Sequence, residues 1–176
     1  MSAVPGAALK GLNSGGTLAD ETMLQAAPAL GDIRSNTPLK PELDLGTDLF
    51  AGGHVVIDFG DDALTVGRAH PMIDPTLRLE AIAAVAAGDE PAVLLLDVVL
   101  GYGADPDPAA ALEPALTAAR EAADFPLPVV VALIGTENDP QGWSRQADAL
   151  AAAGAAVFAS NSAATRYALD LLGASS

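Results

Sequence analysis

The chain predicts an α/β fold built on a doubly wound parallel sheet, and three observations carry that expectation. Short aliphatic runs alternate with longer segments of helical spacing, and strands that alternate with helices at such intervals pair in parallel. Two of the runs, AVLLLDVV at 92–99 and VVVALI at 129–134, are apolar almost without interruption, as suits strands covered on both faces. Aromatic residues make up 4% of the chain while alanine, leucine and valine dominate, a mix that packs small-residue helices on an aliphatic sheet.

Residues 1–7 read as a loose, flexible leader, and a single domain is expected over 8–176. Residues 8–13 are short and apolar enough for a buried strand. Ser14-Gly15-Gly16-Thr17 breaks it, and Leu18, Met23, Leu24 and Ala27 then recur at helical spacing before Pro28. Between 31 and 53 prolines, glycines and charges interrupt any period, which predicts a long connection. His54 opens a β-branched run to Phe59, bounded by Gly53 and Gly60, and a polar loop over 60–75 follows. Beyond it the spacing predicts a helix over 77–87, a strand over 92–99 and a helix over 108–123 opened by the turn-forming DPDP. A strand over 128–134, a helix over 141–153 ended by Gly154, a strand over 155–159 and a helix over 162–172 complete the chain.

Eight Lys and Arg stand against 23 Asp and Glu, a net charge of −15. A field of that sign repels nucleic acid and anionic lipid, so neither is an expected partner. It also repels an anionic substrate at long range, so a phosphate site must rely on local backbone donors or on a partner's cations. The same acidity keeps an alanine-rich domain soluble without any role in binding. There is no cysteine, hence no disulfide and no thiolate chemistry, and His54 and His70 are the two imidazoles available. No basic flank precedes an apolar core at the N-terminus and no apolar run reaches membrane-spanning length, so a cytoplasmic location is expected.

In a doubly wound sheet ligands sit beyond the carboxyl ends of the strands, so the chemistry is sought in the loops there. Ser14, Gly15, Gly16 and Thr17 fall where a helix N-terminus presents unpaired N–H groups and a positive dipole end, and glycine lets the backbone come close to a phosphate. The alternative is a plain N-cap with turn glycines, the Ser14 and Thr17 hydroxyls capping the helix. The 60–75 loop gathers Arg68, which can clamp a carboxylate or phosphate, and His70, an acid or base near neutral pH or a structural hydrogen-bonding residue. Asp61 and Asp62 project differently and suit a turn cap, so no metal site is expected; His54 lacks metal-cluster spacing. Asp97, inside a strand, needs a partner, either N–H groups of a neighbouring loop or Arg68. Gly101 and Gly103 shape a turn around Tyr102, a candidate substrate pocket. Gly135, Thr136, Asp139 and Gln141 form a further strand-end loop in which Asp139 can cap the next helix, with Trp143 covering a ligand or packing at an interface. SGGT and GTENDPQ are expected to meet in one cleft.

Taken together GLNSGGTLADE, DFGDD, GRAHPMIDPTLR, LLLDVVLGYGADPDP and IGTENDPQ resemble the C-terminal portion of FdrA-family proteins, over most of the chain. That family is similar to the succinyl-CoA synthetase α-subunit, whose second domain is flavodoxin-like and carries an SxSGTL-type loop for the reactive phosphoryl group; Ser14 to Leu18 fall on that motif. The resemblance implies a flavodoxin-like CoA-ligase-type domain and a companion subunit carrying the Rossmann, CoA-binding-like region that this chain lacks, hence a hetero-oligomer. The CoA synthetases relay phosphoryl through a histidine in a GHAGA motif, where this chain has GTENDPQ and RQADAL. FdrA relatives are associated with oxamate carbamoyltransferase, in which phosphate cleaves oxalurate to carbamoyl phosphate without that relay.

The expected function is therefore that of a subunit of a carbamoyl- or acyl-transferring enzyme acting on a small anionic substrate. Phosphate or acyl phosphate is its ligand, no cofactor is tightly bound, and Arg68 and His70 are the candidates for stabilising the oxyanion and protonating the leaving nitrogen. The alternatives are an acyl-CoA synthetase subunit using CoA and ATP with Mg²⁺, and a non-catalytic scaffold.

Overall fold

The computed structural model describes residues 1–174, so the last two residues of the domain expected over 8–176 lie outside the described residues. Strands β1 (Ala8–Asn13), β2 (Val55–Asp58), β3 (Ala92–Val99), β4 (Val129–Ile134) and β5 (Ala155–Phe158) pair in parallel throughout, in the order β2-β1-β3-β4-β5. This is the flavodoxin-like, doubly wound order, and its switch point lies between β1 and β3. The helices are α1 (Gly16–Leu30), α2 (Asp62–Thr65), α3 (Thr76–Ala86), α4 (Pro108–Ala122), α5 (Trp143–Ala152) and α6 (Asn161–Leu171).

Both faces of the sheet are buried, which explains the uninterrupted apolar strands. Leu9, Val93, Leu95, Val130 and Ala132 point to one face, under α1 and α6. Leu12, Leu94, Leu96, Val131 and Leu133 point to the other, against α3, α4 and α5, as the two-residue period of a strand requires. In α1 the buried residues Ala19, Thr22, Met23 and Ala26 recur at three- and four-residue intervals, and Ala109, Leu112, Leu116 and Ala119 do so in α4.

Element bounds depart from the sequence reading where local chemistry is overruled. The first helix begins two residues earlier than expected and continues through Pro28 to Leu30, closing when Gly31 N–H donates to the Ala27 carbonyl. The carbonyl that Pro28 leaves without a helical donor is that of Leu24, a residue 63% exposed, where water can serve it. The polar loop over 60–75 holds the one-turn helix α2, capped by Asp61, whose Oδ1 accepts the Ala63 N–H at 2.9 Å. Within the expected leader, Val4 N–H donates to the Leu171 carbonyl at 2.7 Å and Ala7 is buried. Among the described residues no helix is long and apolar enough to cross a membrane.

Candidate functional site

Three loops meet beyond the carboxyl end of β1: the glycine loop after β1, the 60–75 loop after β2 and the 100–107 loop after β3. The strand order decides this grouping. Because β3 lies between β1 and β4, SGGT and GTENDPQ are not neighbours, and the single cleft expected between them is not formed. The loops from β2 and β3 flank SGGT instead.

On the β3 side both carboxylate oxygens of Asp97 are engaged. Asp97 is fully buried; its Oδ1 accepts the Ser14 N–H and its Oδ2 the Ser14 hydroxyl, both at 2.7 Å. Arg78, from α3, lies 3.3 Å from Asp97 Oδ1 and donates to the Asp97 carbonyl at 2.6 Å. Burial lowers the Arg78 pKa and Asp97 opposes the shift. The cation that meets Asp97 is thus Arg78, not Arg68. Ser14, whose N–H and hydroxyl are both engaged, braces the loop and does not cap α1; the N-cap is Gly15, which makes no side-chain cap.

The result is an open helix start. Gly15 and Gly16 are half-buried and Thr17 exposed, and α1 has neither a side-chain cap at its N-cap nor an acidic residue in its first turn, so its leading N–H groups lack the acceptors that a capped helix supplies from its own first residues. On the β2 side the packing is close around Gly60. A Cβ there would lie 2.7 Å from the Ser14 carbonyl, 2.8 Å from His70 Nε2 and 3.1 Å from Asp58 Oδ1, so only glycine lets the two loops approach. His70 is exposed, and its Nδ1 accepts the Met72 N–H at 3.3 Å, which leaves Nε2 as the protonated nitrogen of the neutral ring. Arg68 is exposed on the same loop, and its charge acts on Asp74.

Asp58, at the end of β2, has no counterpart among the residues anticipated from the sequence. It is 6% exposed. Oδ1 accepts the Gly60 N–H at 2.8 Å, while Oδ2 lies 3.0 Å from where a Cβ on Gly16 would stand. Burial raises its pKa above 3.8; the Gly60 N–H opposes that, Asp61 and Asp97 reinforce it, and His70 opposes it. The available signal was an aspartate ending an aliphatic run in DFGDD, a pattern that resembles a turn cap.

The remaining anticipated residues are spent on structure or stand apart. Gln141 is buried; its Oε1 accepts the Gly101 N–H at 3.1 Å, and Nε2 donates to the Gly101 and Asp105 carbonyls at 2.9 Å each. It latches the loops after β3 and β4, with no group left for a substrate. Asp139 does not cap α5: its Oδ2 accepts the Thr136 N–H at 2.6 Å and the Thr136 hydroxyl at 3.1 Å. Gly135, at φ 150°, packs where a Cβ would meet Leu100 Cβ at 2.7 Å. Gly103 lies exposed beside Tyr102, itself 91% exposed. Trp143 donates its indole N–H to the Leu133 carbonyl at 3.0 Å, and His54 Nδ1 accepts the Leu9 N–H at 3.0 Å, near the start of β1.

The cleft itself is shallow. Beside Ser14, Met72 and Arg78 there is a cavity of about 20 Å³, space for a water and not for a phosphate ester. A roomier apolar cavity, about 230 Å³, lies between α3 and the β2 edge, lined by Leu12, Leu49, Val55, Ile57 and Val85, away from these loops.

Comparison with known proteins gives the lineage. The CoA-ligase family profile matches residues 12–171. The chain is also 37% identical over 159 residues to "Uncharacterized protein YahF" of Escherichia coli (strain K12), an alignment covering 88% of this chain and 30% of that protein. A doubly wound parallel sheet with a glycine loop at its switch point, matched by the family profile from β1 to the end of α6, makes this chain a member of the CoA-ligase family.

Proposed function

We propose that the chain is the phosphate-handling domain of a multi-subunit carbamoyl- or acyl-transferring enzyme. In this reading phosphate at the start of α1 attacks the carbamoyl carbon of an oxalurate-like ureido acid and forms carbamoyl phosphate. One observation carries it: α1 begins on glycines with no side-chain cap, at the switch point of the sheet. Its first N–H groups and dipole end are open to an oxyanion, and in a chain of net charge −15 such local donors are what an anion needs.

The loop after β4 contains no histidine, so a phosphoryl relay there has no carrier, whereas direct attack needs only placement and charge stabilisation. Arg68 is the cation offered to the oxyanion, and the acid–base group is sought among His70 and the side chains beside it. The shallow cleft calls for a second wall, which we assign to a companion subunit with a Rossmann, CoA-binding-like domain. This chain spans 30% of the length of its E. coli relative, as one domain of a larger or multi-subunit protein does. Co-purification with such a companion, followed by assay of oxalurate with inorganic phosphate, tests the reading. Carbamoyl phosphate is expected, and a complete complex that neither consumes a ureido acid nor forms carbamoyl phosphate would end it.

A second reading, acyl-CoA synthetase-like activity, is favoured by His70 standing beside the glycine loop, where an imidazole can accept a phosphoryl group. It predicts an acid-labile phosphohistidine at 70 after incubation of the complex with ATP and Mg²⁺, and CoA-dependent thioester formation. Absence of both removes it.

A further inference from the structure

We propose that Asp58 is the proton carrier of the α1 anion site, taking the proton of an incoming hydrogen phosphate on Oδ2 and passing it to the departing nitrogen. The inference rests on the phosphate reading above and assigns a step that the reading leaves open. Its ground is geometric. Asp58 is nine-tenths buried, Oδ1 is occupied by the Gly60 N–H, and Oδ2 faces the first residue of α1. An oxyanion bound to the N–H groups of Gly16 and Thr17 therefore arrives against a carboxylate oxygen.

Two anions in such contact repel unless one proton lies between them, the situation of paired carboxylates. The surrounding charges favour the shared proton: Asp61 at the cap of α2 and Asp97 on β3 add negative charge, Arg78 is already paired with Asp97, and the opposing group is His70 on the 60–75 loop. The raised pKa of Asp58 has the same direction.

The step balances without another reactant. A phosphate oxygen bonds to the carbamoyl carbon, the carbon–nitrogen bond breaks, and the hydrogen of HPO₄²⁻ moves through Oδ2 to that nitrogen. Asp58 ends as it began, a carboxylate. His70, exposed and close to the Ser14 carbonyl beside Gly60, bounds the same site, and the proton that reaches the nitrogen passes through Asp58.

Three measurements test this. Calorimetric titration with inorganic phosphate at pH 8, in buffers of different ionisation enthalpy, is expected to show binding of HPO₄²⁻ to the wild-type chain with no net proton exchange, because the shared proton arrives with the ligand; uptake from the buffer would show that the proton on Oδ2 is not the phosphate's and overturn the role of Asp58. Carboxyl ¹³C NMR of the wild-type chain, which needs no variant to fold, is expected to show the Asp58 titration moving upward in saturating phosphate. In the complex with its companion, Asp58→Asn should lower kcat about 10²–10⁴-fold, the usual worth of general acid–base catalysis, with little change in KM for phosphate. Phosphate binding with an unmoved Asp58 titration, or Asp58→Asn turning over at the wild-type rate, overturns the role of Asp58 and leaves phosphorolysis standing. A wild-type complex without phosphate-dependent cleavage overturns phosphorolysis itself, and the proton carrier with it.

Discussion

Two aspartates flank the end of β1, one from each neighbouring strand, and the protein holds them in opposite ways. Asp97, from β3, has both carboxylate oxygens occupied by Ser14 and a buried guanidinium beside it. Asp58, from β2, has one oxygen on the Gly60 N–H and the other turned toward the start of α1. A buried charge that is fully paired is a brace, whereas one left partly unpaired is poised to change its protonation. The same residue type thus braces the glycine loop on one side and turns one carboxylate oxygen toward the helix start on the other.

The strongest way to break the contrast is Asp97→Ala. It leaves Arg78 buried without its counter-charge and frees two Ser14 donors, and a loss of about 3–5 kcal/mol is expected in urea unfolding. The double substitution Asp97→Asn with Arg78→Met should recover part of that loss, because no uncompensated charge then remains in the interior. If Asp97→Ala unfolds at the wild-type urea midpoint, the brace is misassigned.

Ser14→Ala removes one hydrogen bond to a charged, buried acceptor and should cost about 1.5–3 kcal/mol, less than losing the aspartate because the Ser14 N–H still reaches Oδ1. Gly60→Ala acts on the β2 side, where its methyl group would press on the Ser14 carbonyl and the His70 ring. A cost of about 1–3 kcal/mol from overpacking is expected, together with a chemical-shift change at His70, and an unperturbed imidazole signal would show that the two loops are not in contact.

The smallest effect, and the most diagnostic by its sign, belongs to Asp58→Asn. Because the folded pKa of Asp58 is raised above 3.8, its protonated form is the one that favours the fold; that contribution is full below 3.8 and is lost as pH rises through the folded pKa. Asparagine does not ionise, so the variant should match the wild-type chain at acid pH and become the more stable of the two as pH rises toward 7. Thermal unfolding across pH 3–8 reads this directly. A variant less stable than wild type at pH 7 and equal at acid pH would reverse the sign and make Asp58 a second brace.

Much of this was legible from local pattern. The apolar run at 8–13, the break at Ser14 and the helical spacing beyond it announce a strand, a glycine loop and a helix, because each depends on neighbours within a few residues. The one-turn helix after Asp61 and the passage of α1 through Pro28 were not, since a single exposed carbonyl or a short cap leaves too weak a period to detect. Asp139 illustrates a different miss: an acidic residue before a helix suggests a cap, yet its carboxylate turns back to Thr136.

The alternation of elements, the parallel sheet buried on both faces and the glycine loop after β1 follow from the amino-acid order, for their causes are periodicity and backbone freedom. The grouping of those loops was decided only by the assembled sheet. With β3 inserted between β1 and β4, SGGT is separated from GTENDPQ and set between Asp58 and Asp97, and Arg78 takes the place anticipated for Arg68. Ser14 and Asp97 are 83 residues apart. Strand order and register bring them together, and neither is written in the spacing around either residue.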